Sequence, residues 1–285
     1  MTQSAIARPK RSSVGLSNYD MTKRARLWSG RARGWALAFA ALVLALSADK
    51  SAAQLARPPR ARNVVLVHGA WADGSSWSEV IPRLQAAGFH VTAVQNPLTS
   101  LADSVAATRR ALALQDGPTV LVAHSWGGTV ISEVGTDPKV TALVYVAARA
   151  PDAKEDFVAF SAKFPTMPLR AGVESHAGFS AISEAAFLTF FANGVPPDKA
   201  RVLYAVQEPA AVSLFGERTS AAAWRSKPSW YAVSSLDQTI SPDLERALAA
   251  RMKATTIELS AGHLSLVSHP REIADLIRAA AGRAP

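Results

Sequence analysis

Short runs of aliphatic and β-branched residues recur along the chain, and segments with apolar residues at every third or fourth position separate them. The runs are typical of strands buried on both faces, and the periodic segments are typical of amphipathic helices. Their alternation predicts an α/β fold, in which helices cover both faces of a mainly parallel sheet. The predicted strands span 63–67, 90–94, 119–123, 142–147, 230–234 and 255–259.

Two of the predicted helices carry clear start signals. Ser76-Trp-Ser-Glu79 has the form of a capping box, so the first helix should begin there. Ser241 is a suitable N-cap, followed by Pro242 and by the acids Asp243 and Glu245 in the first turn, where negative charge favours the helix dipole. The other helical patterns cover about 103–115, 126–136 and 270–281.

Residues 149–228 interrupt this alternation. They contain seven prolines and eight of the ten phenylalanines, and Phe187, Phe190 and Phe191 stand at helical spacing. We interpret the segment as an inserted helical cap. One hypothesis is that these aromatic residues form the core of the insertion, and another is that some of them line an apolar pocket beneath it. The two hypotheses can hold for different residues.

Charge is unevenly distributed along the chain. Residues 1–62 contain 12 of the 31 Lys and Arg residues and two acids, so the rest of the chain has a net charge of −1 although the whole carries +9. An extended nucleic-acid-binding surface is therefore not expected in the main domain. The chain has no cysteine, which excludes disulfides, cysteine nucleophiles and thiolate metal sites.

The N-terminal region has the form of an export signal. Arginines over 24–33 precede an uncharged stretch over 34–48, which is shorter than the roughly 20 residues of a membrane-spanning helix. Small residues follow, as in a secretory signal peptide that is cleaved after Ala53 or Ala48. Export to the periplasm or the medium is then expected, with no stable membrane span left after cleavage.

These features predict three parts of the chain: a basic leader over 1–53, a Pro/Arg-rich linker over 54–62, and an α/β domain over 63–285. Two alternatives to a cleaved signal stay open, namely an uncleaved anchor formed by 34–48 and a disordered tail. A start at Met21 instead of Met1 would give a shorter leader.

The segment Val120-Leu-Val-Ala-His-Ser125-Trp-Gly-Gly128 runs from a predicted strand directly into a predicted helix. Small residues stand two positions before Ser125 (Ala123) and two after it (Gly127), the spacing of the nucleophile elbow G-x-S-x-G with alanine in the first glycine position. Such a turn lifts the serine hydroxyl clear of the sheet and close to a helix N-terminus, which favours a developing anion. We therefore predict that Ser125 is a catalytic nucleophile.

A serine hydroxyl needs a base, and the base needs an acid to orient it. His263 follows the last predicted strand, at the carboxyl edge where sites form in such sheets, so we predict that it is the base. Asp237 follows the preceding strand and is the predicted acid. Asp152 also follows a strand and is the alternative, with a role as cap at the start of the insertion as its other interpretation. The order Ser125, Asp237, His263 is the one expected for this arrangement.

An oxyanion hole would complete such a site. Val67-His-Gly-Ala-Trp71 ends the first strand with a glycine, which leaves backbone N–H groups free to point into the site. We predict that the backbone N–H groups of Ala70 and Trp126 hold the oxyanion. The alternative is that His68-Gly69 forms only a tight turn.

Taken together, these segments resemble the α/β-hydrolase superfamily, and within it the compact carboxylesterase group of plant methylesterases, hydroxynitrile lyases and bacterial pyrethroid-type esterases. The resemblance runs from about Asn63 to Ala281 and rests on V-L-V-H-G-A-W, L-Q-A-A-G-F-H-V-T-A-V, the Ser125 elbow, D-Q-T-I-S-P-D and G-H-L-S. The hydroxynitrile lyases of the group typically carry a threonine and a lysine where this chain has Gly69 and Leu264. That departure favours an esterase over a lyase.

The resulting hypothesis is a serine hydrolase that cleaves carboxylic esters through an acyl-enzyme on Ser125, without metal or cofactor. Its partner would be a small to medium ester with an apolar or aromatic group. One alternative is lyase, amidase, lactonase or perhydrolase chemistry on the same residues. The other is a ligand-binding protein without catalysis, against which the complete set of Ser125, Asp237 and His263 argues.

Overall fold

The computed structural model of the protein describes residues 61–283. The predicted leader over 1–53 and nearly all of the predicted linker over 54–62 lie outside the described residues. Within 61–283, no helix combines the length and the hydrophobicity needed to cross a membrane.

A six-stranded parallel sheet, in the order β2-β1-β3-β4-β8-β9, forms the centre of the described residues. A second, antiparallel sheet in the order β5-β6-β7 lies in the insertion. The strands are β1 (Asn63–Val67), β2 (His90–Val94), β3 (Thr119–His124), β4 (Val140–Val146), β5 (Val173–His176), β6 (Phe179–Ile182), β7 (Ala210–Ala211), β8 (Ser229–Ser234) and β9 (Thr255–Leu259).

Helices cover both faces of the central sheet, as the alternating pattern predicts. Apolar side chains of α2, α3 and α7 pack on one face, and those of α1 and α9 pack on the other. The helices are α1 (Ile81–Ala86), α2 (Leu101–Ala113), α3 (Gly127–Val134), α4 (Phe157–Ser161), α5 (Glu184–Ala186), α6 (Pro197–Ala205), α7 (Pro242–Met252), α8 (Ser265–Ser268) and α9 (Pro270–Ala280).

The predicted strands of the central sheet are confirmed to within two residues at each end. β1 and β3 are buried along their whole length, because neighbouring strands and helices enclose them on every side. Continuous apolar runs are the signal of such strands, and this is why the pattern located them well.

The capping box predicted at Ser76 is wrong. The side chain of Asp73 instead caps a 3₁₀ turn over Gly74–Trp77, accepting the Ser75 N–H at 3.0 Å, and the Ser76 hydroxyl donates to the Asp73 carbonyl at 2.8 Å. The α-helix begins only at Ile81, with a proline in its first turn. Proline lacks a backbone N–H and fixes φ near −65°, so it suits the first turn of a helix.

The insertion between β4 and β8 contains helices, as predicted, and in addition the antiparallel sheet, which the prediction of a helical cap missed. Its hairpin turns at Ala177 and Gly178, which have φ of +50° and +85°. Two successive residues with positive φ are what a tight hairpin turn requires. The sequence pattern does not reveal the hairpin, because β5 is mostly exposed and polar.

Candidate active site

Ser125 lies in the turn between β3 and α3, with a φ of +55°. A residue with a side chain adopts this left-handed conformation at a cost, and such positions concentrate at functional sites. Gly127 shows how tight the turn is, since a Cβ there would lie 2.6 Å from the His68 carbonyl oxygen. The predicted need for a small residue two positions after the serine is thus visible as a close approach of two backbones.

The structure brings together the three side chains that the sequence singles out. The Nε2 atom of His263 lies 2.9 Å from the Ser125 Oγ, and its Nδ1 lies 2.6 Å from the Asp237 Oδ2. The Asp237 carboxylate accepts the Nδ1 proton, which leaves Nε2 free to accept the serine hydroxyl proton. His263 and Asp237 are almost completely buried, whereas Ser125 retains some exposure. This geometry can activate a serine hydroxyl.

Asp237 is fixed from its other side by the backbone. Its Oδ1 accepts the N–H groups of Thr239 at 2.6 Å and Ile240 at 2.9 Å. Three donors therefore converge on this one carboxylate when the His263 contact is included. These contacts hold the carboxylate in one orientation, with Oδ2 facing His263.

A second buried acid, Glu245 of α7, lies in contact with the Asp237 carboxyl. Its Oε2 accepts the Ser234 N–H at 2.9 Å, while its Oε1 has no N–H or O–H donor within reach among the described residues. Burial and the adjacent Asp237 raise the pKa of Glu245 well above its usual value. With its pKa raised in this way, Glu245 is protonated and can donate a hydrogen bond to Asp237.

The sequence placed Glu245 correctly in the first turn of a helix but missed its position behind Asp237. An acid in the first turn is ordinarily exposed and interacts with the helix dipole. Here the helix packs this residue inward, and Glu245 is fully buried. Only the three-dimensional arrangement shows that it touches the acid of the site.

The backbone N–H groups of Ala70 and Trp126, predicted to form an oxyanion hole, both belong to residues that line the pocket at Ser125. Among the turn and loop hydrogen bonds of residues 61–283, none uses either N–H group as a donor. Both residues are buried. The arrangement leaves two donors available near the serine.

His68 holds one of these peptide groups in place. Its Nε2 accepts the Asn96 N–H at 2.8 Å, so Nδ1 carries the ring proton and donates it to the Gly69 carbonyl at 2.9 Å. That carbonyl belongs to the same peptide as the Ala70 N–H, and in a trans peptide the two groups point in opposite directions. Burial lowers the pKa of His68, which favours the neutral ring that these contacts need.

His124 also contacts the site, and the sequence pattern did not predict this contact. Its Nε2 donates to the His263 carbonyl at 3.0 Å, and the two rings are 4.6 Å apart. Burial, together with the neighbouring His263, lowers the pKa of His124 well below its usual value. The neutral ring therefore supports the loop that carries His263.

Asp152, the alternative acid, lies elsewhere. Its carboxylate binds the Arg225 guanidinium in a two-pronged ion pair. In addition, the side chain accepts the Ala153 N–H at 2.8 Å at the beginning of the insertion. The contact to His263 is made by Asp237.

A cavity of about 630 Å³ opens beside Ser125, between the sheet and the insertion. Its walls include three of the insertion's phenylalanines, Phe157, Phe164 and Phe215. Phe187 and Phe191 instead pack in the core beside the sheet, and the Phe191 ring lies 5.1 Å from that of His263. The pocket hypothesis therefore holds for three of these residues, whereas Phe187 and Phe191 belong to the core shared with the sheet instead of a separate core of the insertion.

Among the described residues, no group of three or more His, Asp or Glu side chains is arranged to hold a metal ion. The polar groups at Ser125 are instead paired with one another, as the distances above show. What the site offers is a hydroxyl, an imidazole, a carboxylate and backbone N–H groups.

The sequence model of the alpha/beta hydrolase family matches residues 64–276, which is more than half of the chain. The protein therefore belongs to the alpha/beta hydrolase family. A search of curated protein sequences finds no match.

Solved structures with esterase-type names share the fold. A polyneuridine aldehyde esterase superposes with a TM-score of 0.66 at 17% identity, over 76% of this chain and 97% of that one. A methylesterase from Arabidopsis superposes with a TM-score of 0.64 at 18% identity, over 77% of this chain and 98% of that one. A pyrethroid hydrolase from Sphingobium faniae superposes with a TM-score of 0.60 at 18% identity, over 77% of this chain and 97% of that one. At these identities the likeness establishes the architecture, in agreement with the resemblance seen in the sequence.

Proposed function

We propose that the protein is a serine esterase that cleaves carboxylic esters through an acyl-enzyme on Ser125. The observation that carries the proposal is the continuous hydrogen-bonded series from the Ser125 Oγ through His263 to Asp237, at 2.9 Å and 2.6 Å. The proposal is further supported by membership of a hydrolase family and by the left-handed backbone conformation of Ser125 at the end of a central strand.

In the proposed reaction, His263 removes the Ser125 proton as the serine oxygen attacks the ester carbonyl. Asp237 holds the ring in the correct tautomer and stabilises the imidazolium. The Ala70 and Trp126 N–H groups bind the oxyanion, and His263 then protonates the departing alcohol. Water attacks the acyl-enzyme with His263 again as base, which releases the acid and restores the serine.

The walls of the cavity support an ester with an apolar or aromatic group. Leu169, Ile240 and Leu244 add aliphatic surface to that of the phenylalanines. A volume of about 630 Å³ lies within the range of small-molecule sites. A small to medium ester fits this description.

The test is hydrolysis of 4-nitrophenyl esters, from acetate to long chains, by the full chain and its Ser125→Ala variant. Loss of the nucleophile should lower kcat by a factor on the order of 10⁴–10⁶. Ser78→Ala is the matched control, because Ser78 is exposed and distant in sequence from the elbow. Labelling by a fluorophosphonate should modify the wild type and not the Ser125→Ala variant.

Two results would contradict the proposal. One is a Ser125→Ala variant as active as the wild type. The other is a wild type that is labelled at Ser125 but hydrolyses none of the esters, which would favour lyase, amidase, lactonase or perhydrolase chemistry.

We also propose export, on the sequence of residues 1–53 alone. Expression in a bacterium should yield periplasmic or secreted protein whose new N-terminus follows Ala48 or Ala53. A full-length chain that stays with the membrane fraction would instead indicate an anchor.

A further inference from the structure

Arg149 places a positive charge in the cavity beside Ser125. Its backbone N–H donates to the Ser125 carbonyl at 3.0 Å, so the two residues are directly linked. Its side chain lines the cavity, with the guanidinium 4.3 Å from the Phe157 ring centre and one N–H donating to the Phe215 carbonyl at 3.3 Å. The nucleophile and this cation therefore face the same space.

No carboxylate of residues 61–283 lies within 4 Å of the Arg149 guanidinium. Two other arginines that contact the insertion are, in contrast, paired with acids. Arg251 binds Glu155 at 2.7 Å, and Arg225 binds Asp152. Burial lowers the pKa of Arg149 to about 10, which leaves it charged at neutral pH. Of its five N–H donors, the Phe215 carbonyl takes one.

The rest of the cavity offers nothing to neutralise this charge. Its lining includes a second arginine, Arg170, and no Asp or Glu. A cation held beside apolar walls without a carboxylate partner is costly, and the same walls strengthen its attraction for an anion. A guanidinium is moreover shaped to bind a carboxylate through two parallel hydrogen bonds.

We propose that Arg149 is a substrate-binding residue that takes a free carboxylate on the ester. The favoured substrates are half-esters of dicarboxylic acids, in which an apolar spacer separates the ester carbonyl at Ser125 from the carboxylate at Arg149. The cleavage of such half-esters rests on the proposed esterase function. The binding of a carboxylate by Arg149 concerns the cavity alone and can be tested without turnover.

The kinetic test compares monomethyl esters of the C6 to C10 dicarboxylic acids with methyl alkanoates of the same chain length, followed by methanol release. The wild type should favour the charged series, with an optimum length set by the fixed separation of Arg149 and Ser125. Arg149→Met should lower the ratio of charged to neutral kcat/KM by about 10- to 100-fold, the loss of a hydrogen-bonded charge pair. Arg109→Met, which removes an exposed arginine of α2, is the control for net charge.

The binding test uses the Ser125→Ala variant, which cannot consume the ester. The best monomethyl ester of the series should raise its Tm, and the double variant Ser125→Ala, Arg149→Met should show no such rise. Sodium chloride at equal ionic strength controls for screening.

The outcomes separate the two proposals. Hydrolysis of nitrophenyl esters without any preference for half-esters would overturn the role of Arg149 and leave the esterase standing. A rise in Tm that depends on Arg149, in a protein that hydrolyses no ester, would support the carboxylate site and overturn the esterase. An equal rise in Tm with and without Arg149 would overturn the site.

Discussion

The Glu245 carboxyl lies against the carboxyl of Asp237, and both are cut off from solvent. Burial and the adjacent Asp237 raise the pKa of Glu245 well above its usual value, so Glu245 is protonated at neutral pH. The groups around Glu245 fit this assignment. Tyr231 of β8 is buried beside it, with its hydroxyl donating to the Ala148 carbonyl, and the cation of Arg246 is occupied by Asp243 and Glu258.

A protonated Glu245 predicts a pH-dependent gain in stability for Glu245→Gln. The pKa of Glu245 is raised in the folded protein, so folding takes up a proton and becomes less favourable as pH rises above about 4.5. Glutamine has nearly the same shape as protonated glutamate and also carries a hydrogen-bond donor, but it takes up no proton on folding. Its advantage should grow by up to about 1.4 kcal/mol per pH unit above that point. Urea unfolding of both proteins from pH 4.5 to 8 measures the difference.

The reverse result would show that Glu245 is ionised in the folded protein. Glu245→Gln would then have a difference in unfolding free energy that does not depend on pH. Comparison with Glu245→Leu separates the effect of the charge from that of the hydrogen bonds. Both substitutions remove the titrating group, but leucine also removes the acceptor for the Ser234 N–H and the donor to Asp237.

Acidification is expected to destabilise the protein through its buried histidines. Burial lowers the pKa of His68 and His124, so the unfolded chain takes up more protons as pH falls below about 6.5. His124→Gln keeps a donor for the His263 carbonyl but cannot be protonated. Its unfolding free energy between pH 5 and 6.5 should fall less steeply than that of the wild type, by up to about 1.4 kcal/mol per pH unit. Equal slopes would contradict the prediction.

Asp237→Asn should abolish most activity while the fold is retained. The asparagine amide would donate to His263 Nδ1 and shift the ring proton to Nε2, where it opposes removal of the Ser125 proton. The expected fall in kcat is on the order of 10⁴. Nitrophenyl ester kinetics measure it, and circular dichroism with the unfolding midpoint confirms the fold. A loss of tenfold or less would argue that Asp237 does not set the tautomer.

Gly127→Ala should destabilise the protein by about 1–3 kcal/mol. The added methyl group would meet the His68 carbonyl at 2.6 Å and the Val67 carbonyl at 2.9 Å, both of them backbone atoms with little room to move. Gly117→Ala is the matched control, since nothing lies within 4 Å of its added Cβ, and it should change stability by less than about 0.5 kcal/mol. Equal effects of the two substitutions in thermal unfolding would contradict this account.

The features that depend on local pattern could be predicted from the sequence. The central strands, the turn at Ser125 and the places of His263 and Asp237 follow from apolar runs and from the rule that sites form at the carboxyl edge of a parallel sheet. Glu245, His124 and Arg149 were not found as parts of the site, because their importance depends on which side of an element packs inward. A buried glutamate and an exposed one look alike in the sequence.

The positions of the insertion's phenylalanines could not be predicted from the sequence either. The density of phenylalanines predicted a packed segment, but nothing local separates those that fill its core from those that face the cavity. Phe157 and Phe187 occupy similar apolar contexts in the sequence, and only the fold places Phe157 at the cavity wall and Phe187 in the core on the other face of the sheet. The exposed strand β5 likewise lacks the alternation that reveals a half-buried strand.

The order of the central strands has a consequence for when the protein becomes reactive. Ser125 follows β3, in the middle of the sheet, whereas Asp237 and His263 follow β8 and β9, at one edge and late in the chain. Under the proposed mechanism, a chain truncated before β9 would keep the elbow at Ser125 but lack the imidazole of His263 that activates it. We therefore expect esterase activity only in chains whose C-terminal strand has joined the sheet.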